Sequence, residues 1–170
     1  MDSSYAAHMG AAIKLFGTSV NKDGKIYLEV APVLVDAKDP LYAVTDVFNG
    51  ILVVGNMLGA SMFYGSGAGK LPTASAVVAD IVDIAKHLNR NILIEWSSKK
   101  LELVDYKKAE NVFFVRTTAD KAKIESVFGN VEFVEVEGIT GEIGFVTTSM
   151  KEDTFATKAA GLGNVLSVIR

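Results

Sequence analysis

Cysteine is absent from this 170-residue chain. That excludes disulfides and thiolate zinc sites, and it fits a reducing compartment. Histidine occurs twice, as His8 and His87, and neither stands at ligand spacing from a second metal donor. Both are read as surface or helix-end residues, and no metal site is expected. There is no excess of positive charge: the net charge is −3, with 22% charged residues, so nothing asks for nucleic acid. Long apolar runs are missing too. None reaches the roughly 18 residues of a membrane span, and the N-terminus lacks a basic segment followed by an apolar one. With 49% apolar residues the composition does not suggest disorder. The expected setting is the cytoplasm, without membrane or nucleic-acid partners.

What the chain does have is glycine in a distinctive place. In SMFYGSGAGKLPTASAVVAD, residues 61–80, the order reads as strand, glycine loop, helix. Gly65, Gly67 and Gly69 permit backbone angles closed to other residues, and Pro72 or Thr73 is placed to begin a helix running to about Leu88. Val77, Ile81, Ile84, Ala85 and Leu88 form a stripe that Ala74, Val78 and Val82 widen, so the pattern predicts a buried helix. A helix N-terminus reached through glycines presents free N–H groups to an anion such as a phosphate or carboxylate. The loop is not a P-loop: it is one residue short and has Leu71 where Ser or Thr must meet magnesium. Nor is its G-x-G-x-G spacing the dinucleotide fingerprint G-x-G-x-x-G. On spacing alone, a tight turn between packed elements and an anion cradle both remain open.

Around the loop, strands are expected at 11–19, 25–35, 50–55 and 60–64, with Asn21-Lys22-Asp23-Gly24 as a hairpin turn. Alternation of Ile26, Leu28 and Val30 with Tyr27 and Glu29 predicts one buried face. Tyr5, His8 and Met9 before Gly10 resemble a helix end, as of a chain that opens inside a domain. After the polar break at residues 89–91, NILIEWSSKKLELVDY reads as one or two strands. From Asn111 the order is clearer: strand 112–117, helix 120–128, strand 131–137, strand 142–148, helix 151–160, strand 164–169. This βαββαβ order is ferredoxin-like. The fold class is therefore α+β, a mixed or antiparallel sheet covered by helix, followed by a ferredoxin-like domain. Asp80 and Asp83 are read as surface groups, not paired catalytic carboxylates. Glu132, Glu135 and Glu137 mark a solvent-facing strand edge, and Trp96 is an interface candidate.

MFYGSGAGKLPTASAVVADIVDIA closely resembles the glycine-loop segment of homoserine dehydrogenases, of the form MFYGPGAGxLPTASAVVxDxVDIA, with Ser66 in place of the usual proline. AAIKLFGTSV, KIYLEVAPVLVDAKDPLYAVTDVFNGILVVG, GEIGFVTTSM and the terminal NVLSVIR extend the resemblance over nearly the whole chain. The resemblance implies residues 1–95 as a partial catalytic and dimerisation domain and 96–170 as an ACT-like regulatory domain. It also implies an N-terminal Rossmann domain and catalytic lysine lying before the matched part. The parent reaction is NAD(P)-dependent interconversion of aspartate semialdehyde and homoserine, in threonine and methionine biosynthesis. Of the family's functional residues only Gly65, Gly67, Ala68 and Gly69 carry over, as the cofactor-approaching loop. No catalytic residue does, so the isolated chain is expected to be inactive and to hold NAD(P) poorly. A homodimer is expected, with threonine at most a weak effector. The reading of a different class is a stand-alone ACT-type amino-acid-sensing or oligomerisation module without catalysis.

Overall fold

The computed structural model describes residues 1–170. In chain order the elements are α1 (Asp2–His8), β1 (Ala11–Lys22), β2 (Lys25–Asp36), β3 (Phe48–Gly55), β4 (Gly59–Ser66), α2 (Lys70–Lys86), β5 (Glu102–Leu103), β6 (Glu110–Asn111), β7 (Phe114–Thr117), α3 (Lys121–Phe128), β8 (Val131–Val134), β9 (Ile143–Thr147), β10 (Met150–Lys151), α4 (Glu152–Leu162) and β11 (Val165–Ile169). They fall into two compact units, one of residues 1–37 with 100–170 and one of residues 38–99. No helix is long and apolar enough to cross a membrane.

In the first unit, β7–α3–β8–β9–α4–β11 forms the expected βαββαβ arrangement, an antiparallel sheet of order β11-β7-β9-β8. Alternation along the central strand sends its side chains to two cores. On the helix side, Phe113, Val115 and Phe145 pack with Ile124, Phe128, Phe155 and Leu162. The Phe113 and Phe155 rings stack at 3.9 Å, and Phe128 tilts against Phe145 at 5.2 Å. Asp120 starts α3 as the sequence suggests, its carboxylate accepting the Lys123 N–H at 2.8 Å. At the sheet's outer edge β8 carries the exposed Glu132 and is followed by the exposed Glu135 and Glu137.

The sheet's other face is covered by α1. Tyr5 packs with Phe114, Val134 and Ile169, and its ring lies so close to Gly144 that an added Cβ there would fall 2.7 Å from Tyr5 Cε1. Beside it Arg116, whose side chain is only 10% exposed, donates to Asp2 at 2.6 Å and to Glu142 at 3.1 Å. The Ser167 hydroxyl also donates to Asp2. Burial works to raise the Asp2 pKa, but the Ser167 and Arg116 hydrogen bonds outweigh it and hold it below the usual carboxylate value.

The β1–β2 hairpin turns at Asp23-Gly24, both with positive φ, as a right-twisted two-residue turn requires. Its β2 end reaches the ferredoxin-like sheet: Leu34 N–H donates to the Arg170 carbonyl at 2.6 Å, and Arg170 N–H donates to Pro32 at 3.3 Å. The Arg170 guanidinium then grips Glu152 with two hydrogen bonds, at 2.6 and 2.9 Å, and pairs with Glu29 at 2.8 Å.

Four expectations need correction. Of the face expected to be buried, Ile26 is buried but Leu28 and Val30 are exposed. Tyr27 and Glu29 are the half-buried pair, because Glu29 turns toward Arg170. The four N-terminal strands do not complete one sheet: β2 pairs with β1 on one side and β5 on the other, while β3 and β4 pair only with each other. Helix α2 begins at Lys70, earlier than predicted, and contains no buried residue. Its apolar stripe is real, but nothing within residues 1–170 covers it. Finally, residues 91–101 form no strand, and only Glu102–Leu103 pairs, parallel to β2. Trp96 lies in that stretch at 88% exposure.

Replacing Arg116 with methionine leaves Glu142 buried without its cation, so urea unfolding at pH 7 should show a loss of about 3 kcal/mol. The Asp2 share has a pH signature. Its folded pKa lies below the unfolded value, so its stabilisation is complete above about pH 4 and fades as pH falls through the lowered folded value. D2N should therefore flatten the acid limb of the stability curve, as measured by unfolding between about pH 2 and 5.

Candidate functional site: a glycine loop opening a helix

The loop belongs to the second unit and is set up by the β3–β4 hairpin, paired from Phe48 with Ser66 to Gly55 with Gly59. At the open end of the hairpin the Phe48 and Tyr64 rings stack at 5.0 Å, within 11° of parallel. One step inward, Gly50 makes room for Leu41, Val44 and Met62, each within about 3 Å of where its Cβ would be. The strand therefore leaves the hairpin from a fixed end and passes into α2 within three residues, Gly67, Ala68 and Gly69.

The three glycines of the loop do different things. Gly69 has φ 116°, ψ 158° and caps the helix, its carbonyl accepting the Thr73 N–H at 3.1 Å. An L-residue is strained there. Gly67 has no positive φ; its missing side chain admits Asn49, whose Cγ lies 2.8 Å from the position a Cβ would take. Gly65, paired with Asn49 across the hairpin, has neither a positive φ nor any heavy atom within 4 Å of a Cβ position. Within the loop it is the glycine that the chain's own packing and backbone do not need. Ala68 is exposed beside it.

The helix start is open. Gly69 supplies no capping side chain, the first turn holds no acid, and Pro72 brings no N–H. The N–H groups of Lys70 and Leu71 are thus left for an outside acceptor, with the helix dipole and the Lys70 charge adding positive potential. The loop brings together all four residues singled out from sequence, Gly65, Gly67, Ala68 and Gly69. It also adds Asn49, which lies in a segment that resembles the family but was not singled out there; its register opposite Gly65 brings it to the loop.

The other titratable candidates on α2 lie beyond its first turn. His87 caps the C-terminus of α2, its ring nitrogen 2.9 Å from the Asp83 carbonyl and 3.3 Å from the Asp83 carboxylate. Asp80 is exposed on the same helix, and His8 is exposed at the end of α1.

The family model described as homoserine dehydrogenase matches residues 1–82, which include the loop and most of α2. The homoserine dehydrogenase of Neisseria gonorrhoeae is 49% identical over 86 residues, 50% of this chain and 20% of that protein. The Helicobacter pylori enzyme is 30% identical over 158 residues, 93% of this chain and 36% of that protein. The chain belongs to the homoserine dehydrogenase family. The fold agrees: a crystal structure of a homoserine dehydrogenase from Thiobacillus denitrificans superposes with a TM-score of 0.78 at 22% identity, over 99% of this chain and 44% of that one. The chain spans about a fifth to a little over a third of the curated homoserine dehydrogenases it matches. The family model ends within α2, so the ferredoxin-like half lies outside it. The match to the Helicobacter homoserine dehydrogenase runs over nearly the whole chain.

Proposed function

We propose that this chain is the C-terminal portion of an NAD(P)-dependent homoserine dehydrogenase, the enzyme that interconverts aspartate semialdehyde and homoserine. In this reading residues 1–95 complete the catalytic and dimerisation domain, and residues 96–170 are an ACT-like regulatory domain. The observation that carries it is the bare loop. Gly65 lacks a side chain for no reason internal to the chain, beside two free N–H groups and a helix start without acid. Such a surface fits a flat, anionic dinucleotide, whose backbone-close approach any Cβ would hinder. Gly65, Gly67, Ala68 and Gly69 would face the nicotinamide side. When bound, the cofactor supplies the hydride; these residues supply close contact, orientation and a dry wall.

The chain offers no G-x-G-x-x-G turn to hold the pyrophosphate and no lysine assigned to the reacting carbonyl. Alone, the 170 residues should show no homoserine-dependent reduction of NAD(P), followed as absorbance of the reduced nicotinamide. A chain extended at its N-terminus through a dinucleotide-binding domain should be active. In that extended form G65A should lower kcat/KM by about 100-fold, as a misplacement on the order of 1 Å does, without lowering the melting temperature. An active 170-residue chain, or a neutral G65A, overturns the reading.

Two further properties follow from the same reading. The uncovered apolar side chains of α2, among them Val77, Ile81 and Ile84, favour association, so light scattering should report a dimer at micromolar concentration. A monomer would count against it.

The ACT-like half should bind threonine weakly or not at all. Its loop between β7 and α3, Thr118-Ala119-Asp120, contains neither Pro nor Gly, and Asp120 already satisfies a helix N–H and repels a carboxylate. Calorimetric titration should show no heat at micromolar threonine; binding there that is lost in D120A would reverse this view.

A further inference from the structure

The question raised by the loop is what keeps it in one shape, since it is exposed and its glycines are permissive. The β3–β4 register places Asn49 directly opposite Gly65, next to the stacked Phe48 and Tyr64. From there the Asn49 side chain folds over Gly67. A Cβ built on Gly67 would lie 1.7 Å from Asn49 Nδ2, 2.8 Å from its Cγ and 3.4 Å from its Cβ. The backbone of Gly67 does not require glycine, because its φ is not positive. Admitting Asn49 is therefore what the missing side chain accomplishes. The Asn49 carboxamide makes no hydrogen bond within the chain, so the contact is one of shape.

We propose that Asn49 is a positioning residue: its carboxamide wedges onto Gly67 and holds the glycine loop so that Gly65 and the free N–H groups of Lys70 and Leu71 keep one geometry toward the dinucleotide. This rests on the cofactor reading given above. It adds a residue on a different strand, and a physical reason for Gly67 distinct from those for Gly65 and Gly69. The wedge works by occupying space, so a branched apolar side chain of similar shape should replace it, which a direct hydrogen-bonding role would not allow.

The test is a double-mutant cycle between positions 49 and 67. In the 15N-labelled chain, G67A should displace or double the amide resonances of Gly65, Gly69 and Lys70, because the new methyl and the carboxamide cannot share the notch. N49A combined with G67A should restore a single set. If G67A leaves those resonances unmoved, or the double variant is as disturbed as G67A alone, the wedge does not exist.

The functional arm uses the N-terminally extended enzyme. N49A should raise the KM for the dinucleotide about tenfold with kcat little changed, and N49L should recover most of it. N49L behaving like N49A would overturn the positioning role in favour of direct contact by the amide. Should the cycle show coupling while N49A and G65A both leave the dinucleotide KM unchanged, the cofactor reading fails and the proposal falls with it. Should G65A impair the enzyme and N49A not, the proposal alone fails.

Discussion

The first unit depends on one docking event: Tyr5 of α1 lying in the notch above Gly144, with Arg116 closing over the contact. A four-stranded sheet with helices on one side has a second face to bury, and a small chain has few elements to spare for it. Here seven residues suffice, because the face is already short of bulk at Gly144 and already charged at Arg116. Arg116 sits between Asp2 and Glu142, the latter also largely buried, and its own burial is compensated by hydrogen bonds to both. The attachment is thus apolar at its centre and ionic at its rim, and remote parts of the sequence meet in it: Asp2, Arg116, Glu142 and Ser167.

How much of this could be read from the sequence varied with the range of the interaction. Elements fixed by local chemistry were legible: the Asp23-Gly24 turn, the Asp120 cap, and the βαββαβ order, whose strand ends were set to within a few residues by glycines and polar breaks. The glycine loop was legible as a candidate site through its resemblance to one family, since its spacing alone left a tight turn and an anion cradle both open. Elements fixed by partners were not. The stripe of Val77, Ile81 and Ile84 states that α2 wants a cover, but a stripe cannot say whether the cover lies in the same 170 residues, and it does not. The hydrophobic alternation in β2 was likewise real, while the side that is covered was decided by Glu29 turning toward Arg170. Asn49 lay within a quoted family-like segment, but its place beside the loop is a matter of cross-strand register, which no local pattern encodes.

The loop also shows why glycines in one motif should not be treated as interchangeable. Gly69 answers to backbone angle, Gly67 to a neighbour on β3, and Gly65 to nothing inside the chain. Only the last of these is a pointer outward. Sorting the three by what a Cβ would meet separates residues kept for folding from a residue available for recognition, a distinction that G-x-G-x-G alone cannot make.

The route of the chain through its first unit has a practical meaning for anyone dividing the protein. Residues 1–37 are matched to the homoserine dehydrogenase family model, yet they pack with residues 100–170. A cut just after residue 82, where the family match ends, would leave the ferredoxin-like half without its lid. Phe114 and Ile169 would face water, and Arg116 would lose Asp2 and keep only Glu142. The strand edge that β2 now occupies at Arg170 would open as well, offering unpaired backbone to any passing strand. The stretch that ancestry recognises and the compact units of the fold are, in this chain, different sets of residues.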